Sequence, residues 1–192
     1  MLVPALCLVL ASVPSATPTA LVKSADAAVQ RVLKGADPTT AKLATAADQF
    51  IDFFELAKRA LGGEWSKLNK KQQDDFSATM KGLLRASYAQ KAITDERGTA
   101  TVEYGDEKVE GNEALVKTTL VVKADKFPVD YKLYKSTKGK WKIYDVITDE
   151  VSLVATYNDQ FRQAISKKGF DGLLTSLKAK REQLEREPTA QK

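Results

Sequence analysis

The chain has 192 residues, 43% hydrophobic and 29% charged, the balance of one folded domain able to bury roughly 70% of its unfolded surface, not of a disordered tail. Thirty Lys and Arg against 25 Asp and Glu leave a net charge of +5, a mildly basic surface of mixed sign without the dense clustering of a nucleic-acid groove. There is no histidine and one cysteine, Cys7, which excludes Ser-His-Asp and Cys-His nucleophiles, imidazole metal ligands, thiolate clusters and an intrachain disulfide.

Met1–Ala20 carries no charge. Leu2–Ala11 is an apolar run too short for the roughly 20 residues of a membrane span, and a Pro-, Ser-, Ala- and Thr-rich segment follows it. This reads as an export leader over residues 1–20, cut after Ser15, Ala16 or Ala20, with a misread or uncleaved N-terminal helix as the alternative. Leu6 before Cys7 does not suit a lipoprotein box. A single domain over 21–187 and a loose tail over 188–192 complete the organisation.

Thr40–Phe50 is Ala-rich at helical spacing. Asp52 opens the next helix with a capping box to Glu55, and Ile51 and Leu56 stand at the staple positions. Gly62-Gly63 stops it. Asn69 and Gln72 repeat the capping spacing before a helix with Phe76, Met80, Leu83, Leu84 and Tyr88 on one face.

From Thr99 the period becomes two. Val102 and Tyr104 precede an expected turn at Gly105-Asp106. Val116, Thr118, Leu120 and Val122 then alternate with polar residues, as do Val129, Tyr131 and Leu133, and, after a turn at Lys138-Gly139, Trp141 and Ile143. Four strands joined by short turns predict an antiparallel meander with one covered face. Leu153, Tyr157, Phe161 and Ile165 make a helical stripe ended by Gly169. A last helix, capped by Asp171 and closed by Pro188, carries Leu173, Leu174, Leu177 and Leu184. The fold class is α+β, with helices packed around a small, mainly antiparallel sheet of about four strands.

The inward positions define the candidate site: Leu83, Tyr88, Val102, Tyr104, Val116, Thr118, Leu120, Tyr131, Leu133, Trp141, Ile143, Tyr157 and Phe161. Singly each suits a core. Together, the phenols of Tyr88, Tyr104, Tyr131 and Tyr157 suit an apolar pocket with a polar mouth. Asp145 falls in the phase of Trp141 and Ile143. It is a candidate buried base, but a carboxylate receiving backbone N–H groups at the turn into the next helix is the simpler reading, since no second acid, base or oxyanion donor stands beside it. Gly62-Gly63 and Gly111-Asn112 lack phosphate-loop spacing. Lys67, Lys70 and Lys71, and Lys178, Lys180 and Arg181, read as solvated helix faces; a surface for anionic headgroups or an acidic partner is the alternative.

Three stretches carry a resemblance. Ile51–Phe76 (IDFFELAKRALGGEWSKLNKKQQDDF), Gly139–Phe161 (GKWKIYDVITDEVSLVATYNDQF) and Lys167–Lys180 (KKGFDGLLTSLKAK), in this order and spacing, resemble the MlaC family, also called toluene-tolerance proteins. Asp149-Glu150 replaces the family's acidic-Gly pair, and Tyr157-Asn158 its Tyr-Arg. The resemblance implies an NTF2/cystatin-like cone of helices and sheet enclosing a lipid pocket. It implies a periplasmic, monomeric phospholipid carrier, shuttling lipid between inner and outer membranes to maintain outer-membrane asymmetry, with phospholipid as cargo and no cofactor, metal or catalytic residue. Implied partners are an inner-membrane ABC transporter complex, an outer-membrane lipoprotein–porin complex and, transiently, the membrane; nucleic acid is not among them. The alternatives are an envelope interaction module with a filled core, and an enzyme using Asp145 and Tyr104 on a small apolar substrate.

Overall fold

A computed structural model describes residues 17–94 and 99–186. The apolar run of the expected leader, Cys7, the expected tail and Pro188 lie outside them. In chain order the elements are α1 (Pro18–Leu33), α2 (Thr40–Asp48), α3 (Phe53–Leu61), a 3-10 turn (Gly62–Lys67), α4 (Lys70–Thr94), β1 (Thr101–Glu110), β2 (Glu113–Val122), β3 (Asp125–Lys135), β4 (Trp141–Thr148), β5 (Val151–Ser152) and α5 (Leu153–Arg186).

The strands form a 5-stranded antiparallel meander in the order β1-β2-β3-β4-β5. The α+β class therefore holds, with β5 added to the expected strands. Phe50–Asp52 lengthens the β4 edge: the Ile143 amide donates to Phe50 O (3.0 Å), and the Asp52 amide to Ile143 O (2.8 Å). That second bond rewrites the first capping box. Asp52 Oδ1 does receive the Phe54 and Glu55 amides (3.1 and 3.0 Å). The Asp52 amide, however, is already taken, and the Glu55 carboxylate turns to Arg59 (2.8 Å) and Lys58 (3.3 Å). At α4 the box is complete, Gln72 N donating to Asn69 Oδ1 (2.9 Å) and Asn69 N to Gln72 Oε1 (3.0 Å).

Gly62 ends α3 at φ 59°, ψ −133°, a backbone state open to glycine alone. Its missing side chain leaves room for Asn158, whose Nδ2 would lie 2.7 Å from a Cβ there and donates to Ala60 O (3.1 Å). Asn158, where the sequence departs from the family pattern, thus ties α5 to the end of α3. Gly169, at φ 71° and ψ 175°, breaks α5 where a helix end was expected.

One expected turn and the side-chain phase of one strand differ from expectation. Gly105-Asp106 is a bulge within β1, between the pairs Tyr104–Thr118 and Glu107–Val116, and the chain reverses instead at Gly111-Asn112. A second bulge interrupts β4: Leu133 pairs with Ile143 but Lys132 with Asp145, leaving Tyr144 as the extra residue. Each bulge moves the following side chains to the other face.

Buried residues gather in two clusters. One is helical, with Leu56, Leu61, Phe76, Met80, Leu83, Phe161 and Leu173. The other lies on one face of the sheet, with Ala114, Val116, Leu133, Trp141 and Ile143 under Val22 of α1. Ile51 packs with this second cluster while Leu56 belongs to the first.

Candidate functional site

Residues opposite one another in an antiparallel ladder share a face. The pairs Val102–Leu120, Tyr104–Thr118, Val116–Tyr131, Tyr131–Val146 and Leu133–Ile143 therefore build one continuous apolar surface, the inner face. It is covered unevenly. At the end crossed by α1, Val116 and Leu133 are fully buried and Ile143 is 2% exposed, whereas at the other end Val102, Leu120 and Val122 are half-buried and Phe127, opposite Leu120, is 44% exposed.

α1 packs over the sealed end and against α2. Val22 is its buried side chain in this cluster, with Leu21 and Ala25 beside it. The β1 bulge re-aims Glu107 so that its Oε2 accepts the Thr19 amide in the first turn of α1 (2.7 Å), where the helix dipole favours a carboxylate. Tyr104 donates its hydroxyl to Asp26 Oδ2 (3.1 Å), and Lys23 Nζ lies 4.9 Å from the centre of the Tyr104 ring. Burial, with the Asp26 carboxylate second, raises the Tyr104 phenol well above its ordinary pKa of 10.

The sequence-predicted residues fall on both clusters. Val116, Leu133, Trp141 and Ile143 are buried on the inner face, with Tyr104 and Tyr131 packed at its margin. Thr118 is buried, and Val102 and Leu120 are half-buried on the same face. Leu83 and Phe161 belong to the helical cluster, with Tyr157 packed against it; the Tyr157 ring stacks on Phe161 at 5.2 Å, and burial, then Tyr88, pushes its phenol up to about 12. Tyr88 departs from its expected inward position. The face of α4 that buries Phe76, Met80 and Leu84 has run out of cover by this turn, leaving Tyr88 47% exposed. Sequence reasoning missed Val22, Phe50, Ala114 and Val146; Ala114 continues the period-two pattern of β2, and Val146 that of β4 once the Tyr144 bulge is known.

Asp145 is 1% exposed, but on the opposite face from Trp141 and Ile143, because the Tyr144 bulge shifts its phase. Its Oδ1 accepts the Val154 amide (3.0 Å), and its Oδ2 the Ser152 hydroxyl (2.6 Å). Lys132 Nζ stands 3.7 Å away. Ser152 Oγ in turn accepts the Ala155 amide (3.0 Å), so Asp145 fastens β4 to the start of α5. Both oxygens are occupied.

The Arg59 guanidinium joins α3 to the sheet. It pairs with Glu113 (2.7 Å) and lies 3.7 Å from the centre of the Tyr144 ring. Burial disfavours its charge, yet Glu113 and Glu55 hold its pKa above the usual value. Tyr134 donates to Asp52 at the α3 cap. Lys67, Lys70 and Lys71 pair along their own helices with Glu64, Asp74 and Asp75. On the sheet's other face a groove of about 300 Å3 is lined by Lys117, Thr119, Pro128, Asp130, Ile147 and Glu150, and of the predicted residues Thr118 alone reaches it. Its mixed charges do not suit hydrocarbon. Among the described residues there is no cluster of His, Cys, Asp and Glu able to hold a metal ion, and no helix long and apolar enough to cross a membrane.

These features define an α+β domain with an open antiparallel meander, a helical layer and an apolar sheet face covered at one end. The MlaC protein family matches residues 24–179, and the chain belongs to this family. It is 21% identical over 131 residues to the intermembrane phospholipid transport system binding protein MlaC of Haemophilus influenzae; the match covers 67% of this chain and 61% of that protein's length. It also superimposes on the phospholipid-binding protein of Ralstonia solanacearum, solved in complex with a phospholipid, with a TM-score of 0.79 and 30% identity, over 90% of this chain and 99% of that one.

Proposed function

We propose that this protein is a periplasmic phospholipid carrier that holds acyl chains against the uncovered part of its inner face. The observation that carries the reading is the run Val102, Leu120, Val122 and Phe127, an apolar sheet surface left open in a member of a family whose solved relative holds a phospholipid. Two acyl chains carry on the order of 30 methylenes at about 0.8 kcal/mol each, so unassisted transfer through water is prohibitively slow. A carrier replaces the lost environment with apolar surface and leaves the headgroup outside.

The cargo is phospholipid and the route lies between inner and outer membranes, with an inner-membrane ABC transporter complex and an outer-membrane lipoprotein–porin complex as donor and acceptor. The leader expected over residues 1–20 directs export. A cut after Ser15 or Ala16 leaves α1 whole, whereas one after Ala20 removes the Thr19 amide that Glu107 binds. The carrier reading is favoured over the enzymatic one because Asp145 is spent as a structural acceptor.

The test is to purify the protein from a periplasm, extract it and identify bound lipid by mass spectrometry; the intact mass also gives the leader cut. Bound phospholipid is expected. Leu120→Asp should lower occupancy about tenfold or more, since a carboxylate laid against hydrocarbon costs several kcal/mol. Val116→Asp, at the sealed end under α1, should chiefly destabilise the fold, and Lys178→Ala should leave occupancy unchanged. A folded protein that arrives empty and takes up no labelled lipid overturns the proposal.

A further inference from the structure

We infer that α1 is the floor of the acyl site, and that Val22 sets the length of chain the carrier holds. The inference rests on the phospholipid reading above and deepens it.

The cover over the inner face has a sharp boundary along β2. Ala114, Val116 and Thr118 are buried, 6%, 0% and 4% exposed, and from Leu120 onward the face is only half-buried. At about 3.4 Å per residue, the half-buried stretch from Leu120 to Val122 is about 7 Å long, and the whole face from Ala114 about 27 Å. One leaflet's share of a ~30 Å hydrocarbon core is about 15 Å. The uncovered stretch is thus shorter than a membrane acyl chain is deep, so a chain laid along it runs up to the edge of the cover.

The element at the boundary is α1. Tyr104, opposite Thr118 in the last buried row, is tied to α1 through Asp26 and Lys23. Val22, 2% exposed, packs with Val116, Leu133 and Ile143 just past that row. A chain advancing along the inner face from its open end would therefore meet the Tyr104 row and then the Val22 side chain. Removing methyl groups from Val22 deepens the site by a carbon or two, and enlarging it shortens the site by as much.

The experiment offers delipidated protein an equimolar mixture of phosphatidylethanolamines with two identical saturated chains of fourteen, sixteen or eighteen carbons, and reads the bound species by native mass spectrometry. Each methylene that gains cover favours its chain by about fourfold. Val22→Ala is expected to raise the bound ratio of eighteen- to sixteen-carbon lipid several-fold, and Val22→Leu to shift it toward fourteen carbons. Lys178→Ala, on the exposed side of α5, should bind with the wild-type ratio. Should Val22→Leu fail to fold, Val22→Ala decides alone. Lipid bound with the same chain-length distribution in wild type and Val22→Ala overturns the inference while leaving the carrier reading intact. Wild-type protein that takes up none of the three lipids overturns both.

Discussion

Glu150 shows how much a single backbone conformation can cost. It follows Asp149 in the two-residue loop between β4 and β5, and the two residues have φ angles of 65° and 49°. Hairpin loops with both central residues at positive φ favour Asn-Gly or Asp-Gly, because a Cβ in the left-handed region meets the following carbonyl at about 1–2 kcal/mol per residue. Asp149 is tolerable there and Glu150 is not the natural choice; the family pattern has glycine. Glu150→Gly removes the strain but gives the unfolded chain more freedom, at about 0.4–1 kcal/mol. The net expectation is a gain of about 0.5 kcal/mol, seen as a melting temperature higher by about 1–2 °C. Thermal denaturation of the two proteins checks it. A lower melting temperature would show that the Glu150 side chain itself stabilises the native turn.

Among the elements, α5 depends on its first turn being fastened to the sheet. The Asp145 carboxylate accepts from both the Val154 amide and the Ser152 hydroxyl. Asp145→Ala strands both donors in a buried place, each costing about 1–3 kcal/mol, so urea unfolding should show a loss of about 3 kcal/mol. Asp145→Asn keeps an acceptor for Val154, should lose clearly less, and should bind lipid normally once folded; loss of function with native stability would revive a catalytic role. This fastening was readable from sequence only in outline. A carboxylate at a strand-to-helix turn suggested it, but strict alternation placed Asp145 on the inner face, since a bulge at Tyr144 leaves no mark in the local pattern. Gly105-Asp106 misled in the opposite way: a bulge and a turn ask for the same residues. The Asp52 cap, the Asn69–Gln72 capping box, the Lys138-Gly139 turn and the apolar alternation of β2 were legible because they are local. The helix α1 was not, because its first turn shares the uncharged Pro-Thr-Ala composition of the segment before it. The division of the apolar residues into two clusters depends on tertiary packing that periodicity does not encode.

At the scale of the whole molecule, buried phenols recur where the layers meet. Tyr104 ties α1 to the sheet through Asp26, Tyr134 reaches the α3 cap at Asp52, Tyr144 lies under Arg59, and Tyr157 packs within the helical cluster. Burial is the largest cause of a raised pKa in every one of them, reaching about 12 for Tyr144 and Tyr157. In the unfolded chain these groups lose their protons near the ordinary value of about 10. Above that pH the unfolded state binds fewer protons than the folded one, so stability must fall as pH rises. The contribution is fully present below pH 10 and is lost as the pH climbs from there through about 12. Urea unfolding at intervals between pH 9 and 11.5 should therefore show stability declining from about pH 10. Tyr157→Phe should give a shallower decline than the wild type, because one phenol whose folded and unfolded pKa values differ has been removed. A slope identical in wild type and variant would mean that the Tyr157 hydroxyl titrates as freely in the folded protein as in the unfolded chain, and that the helical cluster does not shield it.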